Sequence, residues 1–225
     1  MKIYALNINK EISPSLFNKL LSFVSTERRE KINKFIRKED ADRSLAADLL
    51  IRQALIENLE IQNKDISFYY NIHGKPYFAH NPPIYFNLSH SGNWVVCAIS
   101  EHEVGIDVEK IEEVGLDIAK SFFSKKEYND LMRKEVSKRK EYFYSLWTLK
   151  ESYIKACGKG LSLDLRSFSI GIGDNNIIVE SQNDFKKYSF KQYNIDKNYK
   201  LSLCTFATTF PEKIIFKTLE DLNID

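Results

Sequence analysis

Cysteine is scarce: Cys97, Cys157 and Cys204 are the only three in 225 residues, and none forms a Cys-x-x-Cys pair. The four histidines, His73, His80, His90 and His102, show no His-Glu-x-x-His spacing. These absences argue against a disulfide framework and against a zinc site, and they suit a reducing cytosol. No apolar run approaches the ~20 residues needed to span a bilayer, and residues 1–11 hold no signal-peptide core. An excess of one charge is missing too: 33 basic and 31 acidic residues leave a net charge of +2. Dedicated nucleic-acid binders carry a stronger basic bias. The nucleotide-binding GxxxxGK[ST] loop and the GxSxG elbow of hydrolases are both absent. The expectation is a cytoplasmic chain with neither nucleic acid nor membrane as partner.

What is present describes an ordinary globular protein, 43% hydrophobic and 28% charged. Its length is about 1.5 typical domains, room for one large or two small ones. Alternation predicts a strand over residues 2–8, and Ser13-Pro14 opens a helix marked by Leu16, Phe17, Leu20, Leu21 and Val24. Ser25 caps a second expected helix over 27–35, and 40–59 reads as a longer one with a broad apolar face. Strands follow at 66–70, 84–88, 94–100 and 104–109, with turns at Gly74 and Gly92-Asn93 and a break at Pro82-Pro83. Further on, 111–117 reads as a loop and 118–133 as one helix. A solvated, charged connection over 134–140 then leads to a helix over 141–156, stopped by Gly158. Strand candidates at 167–171, 177–180, 188–193, 200–206 and 214–219 complete the reading. The fold class expected is α+β in two similar halves, residues 1–103 and 104–225, each a small, mainly antiparallel sheet with packed helices.

Four segments carry candidate chemistry. In Gly105-Ile106-Asp107-Val108-Glu109, strand alternation puts both acids on one face and Ile106 and Val108 on the other. Two such carboxylates repel unless a cation lies between them, and Mg²⁺ is a hard ion that suits them; a solvated strand end shows the same pattern. In Trp147-Thr148-Leu149-Lys150-Glu151-Ser152-Tyr153-Ile154-Lys155, the residues Trp147, Glu151 and Lys155 recur along one helical stripe. An acid and an ammonium there suit a metal and a phosphate together, or an ordinary surface pair. In Asn87-Leu88-Ser89-His90-Ser91, Ser89 and His90 point to opposite faces, which argues against a catalytic Ser–His pair. With Lys75 of Gly74-Lys75-Pro76 they suit an anion, or a plain hairpin. The fourth segment runs from Arg28 and Lys31 to Arg43, a mixed-charge helical stretch in which Arg28 and Lys31 present a small positive patch.

In this order and spacing the segments resemble the 4′-phosphopantetheinyl transferase superfamily, in its two-domain, Sfp-type (surfactin-synthetase-activating) branch. The similarity covers 25–50, 74–76, 87–91, 105–109, 122–128 and 147–160. Its most specific part is Gly-x-Asp-x-Glu followed, about 40 residues on, by Trp-x-x-Lys-Glu-x-x-x-Lys. The resemblance implies a pseudo-twofold α+β monomer with coenzyme A bound between the halves. It implies transfer of phosphopantetheine from coenzyme A to a serine of an apo peptidyl or acyl carrier protein, with release of 3′,5′-ADP. Such a reaction activates carriers for nonribosomal peptide and antibiotic synthesis.

On this likeness Asp107, Glu109 and Glu151 hold Mg²⁺, with Mn²⁺ as the alternative, while Lys155 meets the pyrophosphate and Ser89 positions it. Arg28, Lys31, Arg43, Lys75 and His90 gather at the 3′-phosphate and adenosine end. Residues 1–103 then form the nucleotide side, and 104–225 the metal site and catalytic helix. Glu151 and Lys155 are the catalytic pair, and the serine is deprotonated by Glu151 or by a metal-bound water. Glu127, in a further family segment, is expected to support the site. Arg28 stands where lysine is familiar in the family, which keeps the cation. The rival readings are a Mg²⁺-dependent pyrophosphate hydrolase and a catalytically inactive carrier-binding module.

Overall fold

The computed structural model describes residues 1–173, 176–181, 187–222 and 224. From β1 (Lys2–Asn7) the chain passes through α1 (Pro14–Leu21), α2 (Thr26–Ile32) and α3 (Lys38–Leu59). A hairpin of β2 (Phe68–Tyr70) and β3 (Pro76–Phe78) leads to β4 (Tyr85–Ser91) and β5 (Trp94–Ser100). The same order then returns: β6 (Val104–Lys110), α4 (Leu116–Phe122), α5 (Lys125–Arg133) and α6 (Val136–Cys157). A second hairpin, β7 (Phe168–Ile172) and β8 (Ile177–Ser181), precedes β9 (Ser189–Tyr193) and β10 (Tyr199–Thr205).

Pairing repeats with the order. The first half is arranged β1-β5-β4 and the second β6-β10-β9, all antiparallel. The α+β class with two similar halves is therefore what the chain adopts. One strand departs from the pattern: β11 (Ile214–Lys217) comes back to lie parallel to β1, with Ile3 opposite Ile214.

Local chemistry sets the helix ends. Ser13 Oγ accepts from Leu16 N at 3.4 Å with Pro14 at the first helical position, and Ser25 Oγ accepts from Arg28 N at 3.3 Å. Each cap satisfies an N–H that the helix itself leaves free. Two expectations change. The helix expected over 118–133 is two helices, because Ser124 and Glu127 form a capping box between them. Ser124 Oγ accepts from Glu127 N at 3.3 Å, and Glu127 Oε2 accepts from Ser124 N at 2.8 Å. That exchange favours a fresh helix start over a continued one. The charged stretch 134–140 is no connection either, since α6 begins at Val136. Lysine, arginine and glutamate are good helix formers, and their charges stay in water there.

Four layers hold the molecule together. Leu45 and Leu49 of α3 pack against Leu20, Leu21 and Ile32 of the two preceding helices. Leu50, Ile51, Ala54 and Leu55, on another side of α3, meet Tyr4, Leu6, Val95 and Cys97 of the first sheet. That sheet's opposite face, with Ile3, Ala5, Val96 and Ala98, lies on Ile106, Val108, Leu201 and Leu203 of the second. The fourth layer is α6, whose core includes Leu146, Leu149 and Ile154 with Cys204 of β10. Each fully buried aliphatic side chain in these layers contributes about 1.5–3 kcal/mol. Because β6 alternates, burying Ile106 and Val108 between the sheets turns Asp107 and Glu109 the other way. Among the described residues, no helix is long and apolar enough to cross a membrane.

Candidate active site

Gly105 lets α6 lie directly on β6. A Cβ at that position would stand 1.9 Å from Ser152 O and 2.4 Å from Ala156 N, so no side chain fits. This close approach brings Lys155 over Asp107. Its Nζ donates to Asp107 Oδ1 at 2.6 Å, to Ser89 Oγ at 3.0 Å and to Ile106 O at 3.3 Å. Asp107 is only 3% exposed, and its Oδ1 also accepts from Ser89 Oγ at 2.8 Å. The second oxygen, Oδ2, is buried and has no hydrogen-bond partner. Leaving a buried acceptor unpaired costs about 1–3 kcal/mol, more for a charged one, so this oxygen is a strong attachment point for a cation.

The strand β4 joins β6 through side chains rather than through a backbone ladder. Asn87, Ser89 and Ser91 alternate onto one face, and each takes a backbone N–H of β6. Asn87 Oδ1 accepts from Ile106 N at 2.9 Å, Ser89 Oγ from Val108 N at 3.3 Å, and Ser91 Oγ from Lys110 N at 3.1 Å. The two serines then donate onward to the acids, Ser89 to Asp107 and Ser91 to Glu109 Oε2 at 2.7 Å. Asn87 and Ser91 were not among the expected site residues. Their spacing, every second position of a strand, was the available signal.

The acids feel one another. Burial raises the Asp107 carboxyl above its ordinary value against the pull of Lys155. Glu109 is pushed up to about 7 by desolvation and then by the charge of Asp107, and the Ser91 hydrogen bond opposes this. Glu151 is raised by desolvation and, again, by Asp107. Among the described residues, no three Asp, Glu, His or Cys side chains are placed to hold a metal ion together. Mg²⁺ rarely has a full protein cage, since it binds through one or two carboxylates and takes substrate phosphate and water for the rest. The donor set, hard carboxylate oxygens with one of them orphaned and buried, fits such an ion.

These shifts give a pH test. Glu109 has a folded value of about 7 against an ordinary 4.5, so between those values the folded chain holds the extra proton. Stability must then fall as pH rises across that window. In a chelator the thermal midpoint should be higher near pH 5 than near pH 7.5, and Glu109→Gln should flatten that difference. A slope identical in the variant and the parent would remove Glu109 as its source.

The expected cations are not gathered at one point. Arg28 Nε pairs with Asp48 at 3.0 Å and its NH2 donates to Ser44 Oγ at 2.9 Å, while Lys31 holds Glu27 at 2.7 Å. Both line a pocket of about 210 Å³ beside Arg52 and Tyr70. Arg43 binds Gly92 O at 3.1 Å and Asp40 at 2.6 Å, and it lines a separate cleft of about 440 Å³. His90 is exposed, with its imidazole held below its ordinary value by desolvation and by the charges of Arg43 and Lys155. Lys75 is buried at the carboxyl end of α6. Glu127 is enclosed with Lys150, both 0% exposed, at 2.7 and 2.8 Å. It belongs to the α5–α6–β7 packing. A cavity of about 270 Å³ runs from Glu151 and Lys155 to Gly74, Lys75 and Pro76.

Residues 103–204 match the family described as the 4′-phosphopantetheinyl transferase superfamily, and residues 11–102 match its 4′-phosphopantetheinyl transferase N-terminal family. The 4′-phosphopantetheinyl transferase Sfp of Bacillus subtilis (strain 168) is 41% identical over 223 residues, 99% of this chain and 100% of that one. The 4′-phosphopantetheinyl transferase gsp of Aneurinibacillus migulanus is 40% identical over 93% of this chain and 88% of its own. Among solved structures, a Thermotoga maritima holo-[acyl-carrier-protein] synthase aligns with 46% of this chain and 61% of its own, at 20% identity and a TM-score of 0.41. Identity at this level over the full length makes the protein a transferase. It belongs to the 4′-phosphopantetheinyl transferase superfamily, in the Sfp-type branch.

Proposed function

We propose that this chain moves 4′-phosphopantetheine from coenzyme A to a serine of an apo peptidyl or acyl carrier protein and releases 3′,5′-ADP. One observation carries the reading. Lys155, ion-paired with Asp107 whose Oδ2 is buried and without a partner, lines with Glu151 a cavity of about 270 Å³. Residues 1–103 bind the adenosine side through the Gly74–Pro76 turn, with His90 and the Arg28–Lys31 pocket as candidates for phosphate. Residues 104–225 bring the acids and the catalytic helix. One chain supplies both sides, which suits a monomer.

Asp107, Glu109 and Glu151 would hold Mg²⁺ (or Mn²⁺), which when bound neutralises the pyrophosphate and polarises its phosphoryl oxygen. Lys155 stabilises charge on the leaving 3′,5′-ADP, and a charge-assisted hydrogen bond of that kind contributes about 1.5–3 kcal/mol. Ser89 holds the Lys155–Asp107 pair in line. Glu151 takes the proton of the incoming serine hydroxyl. A carboxylate has two oxygens, so one can face the cation while the other meets the hydroxyl. Positioning and electrostatics supply the rest of the acceleration.

Mixing the protein with coenzyme A, Mg²⁺ and an apo carrier domain, then weighing the carrier, tests the proposal. Gain of one phosphopantetheine is expected. Nucleotide release with an unmodified carrier would point to a hydrolase, and no turnover to a binding module; either result overturns the proposal.

A further inference from the structure

We infer that the turn between β2 and β3 clamps the carboxyl end of α6, which makes Lys75 and Asn71 positioning residues for Lys155 and Glu151. The last carbonyls of a helix have no partner within it, and they carry the negative end of its dipole. At the end of α6 the partners come from the other half of the chain. Lys75 Nζ donates to Lys155 O at 2.6 Å, to Ala156 O at 3.2 Å and to Val104 O of β6 at 3.3 Å. Asn71 Nδ2 donates to Gly158 O at 2.8 Å.

The same asparagine shapes the turn, since its Oδ1 accepts from His73 N and Lys75 N, each at 2.9 Å. The fit is close. Gly158 sits at φ +67°, and a Cβ there would lie 3.2 Å from Lys75 Cδ and 3.4 Å from Asn71 Nδ2. A lysine has three N–H donors, and all three of these face carbonyls. None is left for a phosphate, so Lys75 acts through the helix rather than on the ligand. Burial pulls its ammonium down to about 8, which still leaves it mainly charged at neutral pH.

This inference rests on the transferase reading. The turn also lines the cavity that Glu151 and Lys155 share, so seating a nucleotide and setting the catalytic helix use one element. Lys75→Met should lower kcat about tenfold, as a small displacement of a catalytic side chain does. Transfer from 3′-dephospho-coenzyme A should fall by the same factor. Amides over 155–160 should exchange faster with deuterium. Asn71→Ala, which changes no charge, should move kcat and exchange in the same direction by less; it also serves if the lysine variant does not fold. Selective loss with coenzyme A over its dephospho form would make Lys75 a phosphate ligand and overturn the clamp. Unchanged kcat and unchanged exchange in both variants would overturn it as well. Failure of the parent protein to modify any carrier would instead sink the transferase reading, and the exchange result would still stand on its own.

Discussion

Asp107→Asn should abolish transfer and leave the fold at least as stable as before. The two side chains have the same shape, and an asparagine Oδ1 still accepts from Ser89 and Lys155. On the other branch the amide nitrogen replaces an oxygen that has no partner, so one unpaired buried group takes the place of another. What disappears is a buried negative charge whose ionisation burial opposes. Lys155 loses its counter-ion, but its side chain is 26% exposed and water can solvate it. On the proposed reading, a bound cation would lose its most enclosed oxygen and the pyrophosphate the charge set around it. Removing one preorganised electrostatic group costs about 10²–10³ in rate, and a metal ligand is expected to exceed that range. Carrier mass and the thermal midpoint, each with and without Mg²⁺, check both halves of the claim. Clear Mg²⁺-dependent transfer in the variant would remove Asp107 from the metal site.

Glu127→Ala should have the largest effect on stability. The Glu127 carboxylate takes Lys150 Nζ with both oxygens, Ser124 N at 2.8 Å and Ile170 N at 2.7 Å. Lys150 also donates to Phe168 O at 2.9 Å and lies 4.1 Å over that ring, in surroundings whose desolvation lowers its proton affinity. Truncating the acid strands the ammonium and two backbone donors at once. Breaking a buried pair costs about 3–5 kcal/mol, which for a chain of this size lowers the melting point by roughly 6–20 °C. Replacing both partners, as in Glu127→Leu with Lys150→Met, should recover the part of the loss owed to the stranded ammonium, while Ser124 N and Ile170 N stay without their acceptor. Thermal melts of the two single variants and the double variant test this as a cycle. A single variant that melts with the parent would show the pair to be energetically idle.

Features governed by near neighbours could be read from the sequence. Ser13-Pro14, Ser25 and Gly158 mark helix ends because a cap is a contact over three or four residues. Asp107 and Glu109 share a face because alternation is a property of one strand. Other assignments depended on partners far along the chain. Lys75 looks like a free cation until the carbonyls 80 residues away are seen to surround it. Glu127 looks like a support for the site until Lys150 and β7 are seen to close over it. Ser124 and Glu127 do spell a capping box, which an unbroken helical pattern on either side concealed. Arg28, Arg43 and Lys75 stand on α2, on α3 and in the β2–β3 turn, and one-dimensional spacing does not contain how these elements pack.

The parallel pairing of β11 with β1 has a consequence for how the chain comes to be folded. Ile3 meets Ile214, so the first sheet acquires its outer strand only after more than 200 residues have been made. Contacts of such long range slow folding, and closing a loop of that length adds its own entropic cost. During synthesis the amino-terminal half must emerge with one edge of β1 open, a site where unwanted strand pairing begins. Completion of that half is therefore tied to a segment made more than 200 residues after its first strand.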